Sequence, residues 1–179
     1  MKTNNITLCA LSSAIICIFS VLSIPAGPVP ITLGLFSVVF CGCLLSARLS
    51  IISVIIYILL GLSGLPVFSG FRGGIHTLAG PTGGYIVSYL AIAPISNFFF
   101  HIGEKRNCAL KYIAYIGGAI LLLIACYLLA VIHFSFIMSC GIKQAIAECV
   151  LPFVFFDTIK AVSAFCIAES VKKKIIYKG

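Results

Sequence analysis

Acidic side chains are nearly missing from this chain: four Asp and Glu stand among 179 residues, and charged residues of both signs make up only 9%. A soluble domain carries about 25%. That shortage excludes an ordinary water-facing surface. Uncharged runs fill the gap. Ile6 to Ile24, Ile31 to Ala47, Leu49 to Phe71 and Tyr112 to Ile142 hold no Asp, Glu, Lys or Arg, and Ile75 to Phe100 holds only His76. Runs of about 20 apolar residues are long enough to cross a bilayer as helices.

Other signatures are missing too. No G-x-x-x-x-G-K-[ST] stretch occurs, so the chain has no phosphate-binding loop of its own. Uphill movement of a solute would draw its energy from a partner or an ion gradient. The nine cysteines include no C-x-x-C pair. Cys9, Cys17, Cys41, Cys43, Cys126 and Cys166 lie inside apolar runs, where free cysteine packs as a small hydrophobe. No metal or redox role follows; a disulfide between Cys140 and Cys149 stays open at this point. The first apolar run leads into "IPAGPVP", a poor cleavage site, so it reads as a retained helix rather than a signal peptide. No nucleophile–base spacing appears, which argues against an intramembrane enzyme. No internal repeat of the kind that stand-alone carriers use is detectable.

What remains is an all-α integral membrane protein with a single membrane domain, 1–179. Six spans are expected, at about 6–24, 31–47, 49–65, 78–100, 112–138 and 145–171. The net charge of +8 does not signal nucleic acid, because the basic residues sit at span ends. Lys2, Arg48, Lys105, Arg106, Lys111, Lys172, Lys173, Lys174 and Lys178 fall on one side, and Arg72 and Lys143 on the other. The positive-inside rule places both termini in the cytoplasm. The prolines of "PAGPVP" (25–30) stiffen the first outer loop. Pro94, inside the fourth span, predicts a kink.

The second outer loop, "LPVFSGFRGGIHTLAGPTGGY" (65–85), holds six of the 16 glycines. Glycine admits backbone shapes closed to other residues and lets another surface approach. The loop is either a solvated connector or a lid over a cavity. Its apolar side chains, Leu65, Val67, Phe68, Phe71, Ile75 and Leu78, favour the lid.

Inside the sixth span, "ECVLPFVFFDTIKAVSAF" (148–165) places Asp157 and Lys160 three residues apart, on one helix face. Each charge at membrane depth costs about 2.5–3.5 kcal/mol. The pair is either a structural ion pair or an anchor for a ligand that offers donors and acceptors. Arg72 adds a guanidinium suited to a carboxylate; His76 reads as a solvated loop residue. Together these residues ask for a small molecule with an apolar middle, an amide-like or urea-like polar end and a carboxylate.

Several motifs stand in a familiar order: "PVPITL" (28–33), "GLPVFSG" (64–70), "GG" (73–74), "GPTGGY" (80–85) and "LPF…D…K" (151–160). Together they resemble the BioY family, the biotin-specific substrate-capture subunits of energy-coupling factor transporters. The resemblance implies a six-helix protein of the bacterial cell membrane that binds biotin from outside and is not an enzyme. It implies partners: a transmembrane coupling subunit and a pair of cytoplasmic ATPases. It also implies substrate contacts from Asp157, Lys160, Arg72, Gly73, Gly74, Thr82 and Tyr85, with no cofactor or metal. Ala10 and Ala14 form a small-xxx-small ridge of the kind that similar subunits lay against the coupling subunit. An S subunit for another vitamin, or a carrier acting alone, are the competing readings. The chain departs from the family pattern at Gly34, where Gln is usual, and at Phe155-Phe156, where Pro-Gly is usual. The second departure predicts a regular start to the sixth helix, with Pro152 tolerated in its first turns.

Overall fold

The computed structural model describes residues 3–25 and 27–176 and is mostly helical. Helices α1 (Thr3–Val21), α2 (Gly34–Leu44), α3 (Ala47–Leu62), α4 (Ile75–Leu78), α5 (Gly83–Glu104), α6 (Cys108–Ile137), α7 (Ile142–Cys149) and α8 (Val154–Ile176) follow one another along the chain. Between α1 and α2, β1 (Ser23–Ile24) pairs antiparallel with β2 (Ile31–Thr32), Ser23 opposite Thr32. The described prolines between them, Pro25, Pro28 and Pro30, therefore belong to the connection of a short hairpin. Lys2 and Lys178, two of the charges that orient the chain, lie outside the described residues.

Among the described residues three helices, α1, α5 and α6, are long and apolar enough to cross a membrane, and the bent pair α7–α8 makes a fourth candidate if it is one span. The expected second and third spans appear as the shorter apolar helices α2 and α3, of 11 and 16 residues. At 1.5 Å per residue α2 is only about 16 Å long. Residues 31–32 belong to a strand instead, and the fourth span starts at Gly83 rather than at 78, because α4 is a separate short helix.

The expected single helix over 145–171 is corrected most sharply. It is two helices, α7 and α8, bent by 54° at the four residues 150–153. Pro152 has no N–H to donate, and its ring clashes with the preceding turn. The regular start expected at Phe155-Phe156 is present, since α8 runs unbroken from Val154, but just upstream Pro152 acts as a breaker rather than a tolerated first-turn residue.

The core forms where helices approach closely. Asn97 of α5 donates to the carbonyls of Gly42 (3.2 Å) and Leu45 (2.5 Å) at the end of α2. A Cβ at Gly42 would lie 2.7 Å from the Ala93 carbonyl oxygen, so only glycine lets the two backbones meet. Small residues in this role are the usual basis of helix packing in lipid. Nearer the basic end, Tyr115 stacks between Phe100 and Phe165, with centroids at 5.7 and 5.1 Å. The outer face of α6 is a stripe of exposed apolar residues, Ile113, Ile116, Ile120, Ile124, Leu128 and Ile132. Such a stripe would be a liability in water and is ordinary against lipid tails.

The chain order places Arg48, Lys105, Arg106, Lys111 and Lys172 to Lys174 at one end of the bundle, and Arg72 and Lys143 at the other. At the basic end the few acids are paired: Glu169 with Lys111 and Lys173, both at 2.7 Å, and Glu104 with Lys172 at 2.7 Å. All nine cysteines, Cys140 and Cys149 included, are free thiols.

Candidate ligand-binding site

At the end opposite the basic cluster, three connections converge: the 22–33 hairpin, the 63–82 loop and the 150–153 break. A cavity of ≈ 40 Å³ lies among them, room for about three waters. One side is formed by Tyr85, Ile86 and Tyr89 of α5 with Thr82 just before it. Phe153 and Asp157 close the α8 side; Tyr57, Leu35 and Ser20 come from α3, α2 and α1. The hairpin supplies Val29, Pro30 and Thr32, and the 63–82 loop supplies Ser69. The wall is mainly aromatic and aliphatic, with a few polar groups, as small-molecule sites usually are.

Asp157 is the polar centre. It lies one turn into α8 and is only 5% exposed. Lys160 Nζ donates to Oδ1 at 2.8 Å, and Tyr127 of α6 donates to Oδ2 at 2.9 Å. The carboxylate is therefore held on both oxygens by groups outside the cavity wall. An ionised carboxylate offers about four lone-pair sites. Two are used here, which leaves acceptor capacity toward the cavity.

The 63–82 loop is tied down at several points. Phe68 is fully buried and meets Tyr57 edge-on at 5.5 Å. A Cβ on Gly61 would collide with the Phe68 ring, so the ring occupies the space that glycine leaves. The loop turns back on itself through Phe68 N–H to the Arg72 carbonyl, 2.9 Å. Gly74, at φ 87°, takes the left-handed conformation that glycine admits without strain, and its N–H donates to the Gly61 carbonyl at 2.7 Å. His133 of α6 lies 3.0 Å from the Gly80 carbonyl oxygen. Tyr85 donates its hydroxyl to the Cys149 carbonyl, linking the start of α5 to the end of α7.

Of the residues singled out in the sequence, Asp157, Thr82 and Tyr85 line the cavity together. Lys160 stands behind Asp157 and is bonded to it. Arg72 is exposed in the loop. Gly73 and Gly74 serve the loop's own structure: the Gly73 carbonyl accepts from Thr77 at 3.1 Å, and the Gly74 N–H is taken by Gly61. Ala10 and Ala14 are both exposed on α1 and do not line the cavity. Tyr127, Ser20, Tyr57 and Tyr89 join the site without having stood out in the sequence. A tyrosine deep in an apolar run usually finds a partner for its hydroxyl, which is the one signal the sequence offers for the three tyrosines; for Ser20 it offers none.

Known proteins match this chain in sequence and in fold. The BioY family model matches residues 1–177. The chain is 36% identical over 172 residues to a probable biotin transporter BioY of Pyrococcus horikoshii, covering 96% of this chain and 98% of the relative. It is 37% identical to the biotin transporter BioY of Thermotoga maritima, covering 90% and 91%. Its fold matches a 2.1 Å crystal structure of the S-component for biotin from an ECF-type ABC transporter, with a TM-score of 0.81, 30% identity and coverage of 97% and 95%. This membrane protein therefore belongs to the BioY family.

Proposed function

We propose that this chain is the biotin-capturing subunit of an ECF-type vitamin uptake transporter. The observation that carries the reading is Asp157: a buried carboxylate, held on both oxygens by Lys160 and Tyr127, with acceptor capacity facing a cavity. Biotin has a ureido ring with two N–H donors, an apolar bicycle and a carboxylate tail. Asp157 accepts from the ureido N–H groups, and the ammonium of Lys160 balances the buried charge. Tyr85, Ile86 and Phe153 cover the bicycle. The charged tail points to the mouth, where Arg72 can fork onto it. Burying that tail without a cation would be costly, and the described cavity wall contains no Lys or Arg.

As it stands the cavity is too small for a bicyclic ligand, so entry requires the walls to part. The loop that carries Ser69 and Phe68 is the natural moving part, which makes it a lid. The apolar helices support a six-crossing arrangement, and the basic end supports cytoplasmic termini in a bacterial cell membrane. The chain has no nucleotide-binding loop, so ATP hydrolysis belongs to a cytoplasmic ATPase pair acting through a transmembrane coupling subunit. The exposed Ala10 and Ala14 ridge offers that subunit a close seat.

Isothermal calorimetry on the purified chain tests this directly. Biotin is expected to bind, and riboflavin and thiamine are not. Asp157→Asn is expected to weaken biotin at least roughly 10-fold, the size of one lost charge-assisted hydrogen bond. Equal binding of all three vitamins, or undiminished affinity in the Asp157 variant, would refute the assignment.

A further inference from the structure

Ser20 Oγ is a buried hydroxyl without a hydrogen-bond partner among the described residues. It belongs to a residue only 2% exposed, at the last turn of α1, and it lines the cavity. Native interiors rarely leave such a group unpaired. It is not alone. A Cβ placed on Gly34 would come within 2.8 Å of Ser20 Oγ and closer still to the Tyr89 hydroxyl oxygen. Both hydroxyls therefore converge over the Gly34 Cα, one from α1 and one from α5. The Tyr57 ring lies 6.3 Å from that of Tyr89 and lines the same floor. The Thr32 hydroxyl accepts from the Gly34 N–H at 3.3 Å and stands within hydrogen-bond reach of the Tyr89 hydroxyl. Gly34 is also the first residue of α2, whose N-terminal end carries partial positive charge.

We propose that Ser20 and Tyr89, meeting over Gly34, form a second polar subsite that donates hydrogen bonds to an uncharged acceptor on the buried end of the ligand. The inference rests on the biotin reading above and adds a specificity determinant to it. All the groups at this floor are neutral hydroxyls. They suit a carbonyl oxygen better than a carboxylate, which would want a cation. The two polar subsites are then complementary: Asp157 accepts from N–H donors, and the Gly34 floor donates to an acceptor. A ligand with donors but no neighbouring acceptor satisfies only one of them.

The test compares biotin with biotin methyl ester, in which the carboxylate charge is removed and the ureido ring kept. Calorimetry is done on the wild-type chain, on Ser20→Ala and on Tyr89→Phe. Each variant is expected to lose roughly 10-fold in affinity for both ligands alike, while the melting temperature of the ligand-free protein stays close to wild type. Affinity equal to wild type in both variants would overturn the subsite. So would a loss seen with biotin but absent with the ester, because the hydroxyls would then be holding the carboxylate. A lower melting temperature in a variant whose affinity for both ligands matches wild type would reduce the hydroxyls to packing. If biotin fails to bind the wild-type chain at all, the functional reading falls first and takes this inference with it.

Discussion

Phe68 occupies the volume that Gly61 leaves empty: the ring of a loop residue rests against the bare backbone of α3. This contact fixes the glycine-rich loop against the body of the bundle. Exchange of Gly61 for alanine should favour the helix by about 1 kcal/mol on propensity alone. Here the added methyl group evicts Phe68. Gly61→Ala is therefore expected to speed biotin dissociation, by roughly 10-fold if about 1.4 kcal/mol of closure is lost. Stopped-flow release of a fluorescent biotin conjugate would measure it, and an unchanged rate would mean the loop does not gate the site.

Tyr127 reaches across from α6 to the second oxygen of Asp157 at 2.9 Å. It orients the carboxylate without entering the cavity wall. Tyr127→Phe keeps the ring and removes the donor. Biotin affinity should fall by roughly 5- to 10-fold in calorimetry. In an Asp157→Asn background the same exchange should cost much less, because two groups that act through one contact are not additive. Equal losses in the two backgrounds would exclude the orienting role.

The Asp157–Lys160 pair separates structure from recognition. Removing one partner strands a buried charge, whereas removing both is often neutral for stability. Lys160→Met alone is expected to lower the melting temperature. The double variant Asp157→Asn, Lys160→Met should recover most of that loss and still fail to bind biotin. Recovery of binding along with stability would show that the pair merely balances itself.

Ala10 and Ala14 lie exposed on α1 and are not part of the cavity wall. Tryptophan at either position should leave biotin binding by the isolated subunit unchanged. Co-purification with a coupling subunit should be lost. A complex that survives both substitutions places the interface elsewhere.

Asn97 ties α5 to the end of α2 through two carbonyls. Asn97→Ala leaves both without that donor in a buried position, at about 1–3 kcal/mol. The expected signature is a clearly lower melting temperature in detergent, with ligand-saturated protein partly rescued.

The apolar runs, the alternation of basic ends and the acid–base pair in the last span are all legible in the sequence. Each rests on composition or on spacing along a single helix. Tyr127, Ser20 and Tyr89 are not, because their importance comes from which helices meet. α6 brings Tyr127 to Asp157 of α8, and α1 and α5 bring Ser20 and Tyr89 to the start of α2. The break at 150–153 is half legible. Pro152 marks it, but an apolar run on both sides hides the fact that two helices of different direction share it. Gly34 and Gly61 likewise read as ordinary small residues in the sequence. Their meaning lies in the hydroxyls and the ring that occupy the space of their missing side chains.

In the short helix α7, Ala145 and Cys149 face inward while Ile142 and Ile146 are exposed, and Gln144 bonds Glu148 along the polar side at 3.0 Å. The helix is thus amphipathic in a short way, with two isoleucines open on one side and a polar pair on another. Only the 150–153 break separates it from α8 and Asp157, and the Tyr85 hydroxyl grips its last turn. Any displacement of α7 would therefore move two walls of the cavity at once, the Tyr85 side through that hydroxyl and the Asp157 side through the break.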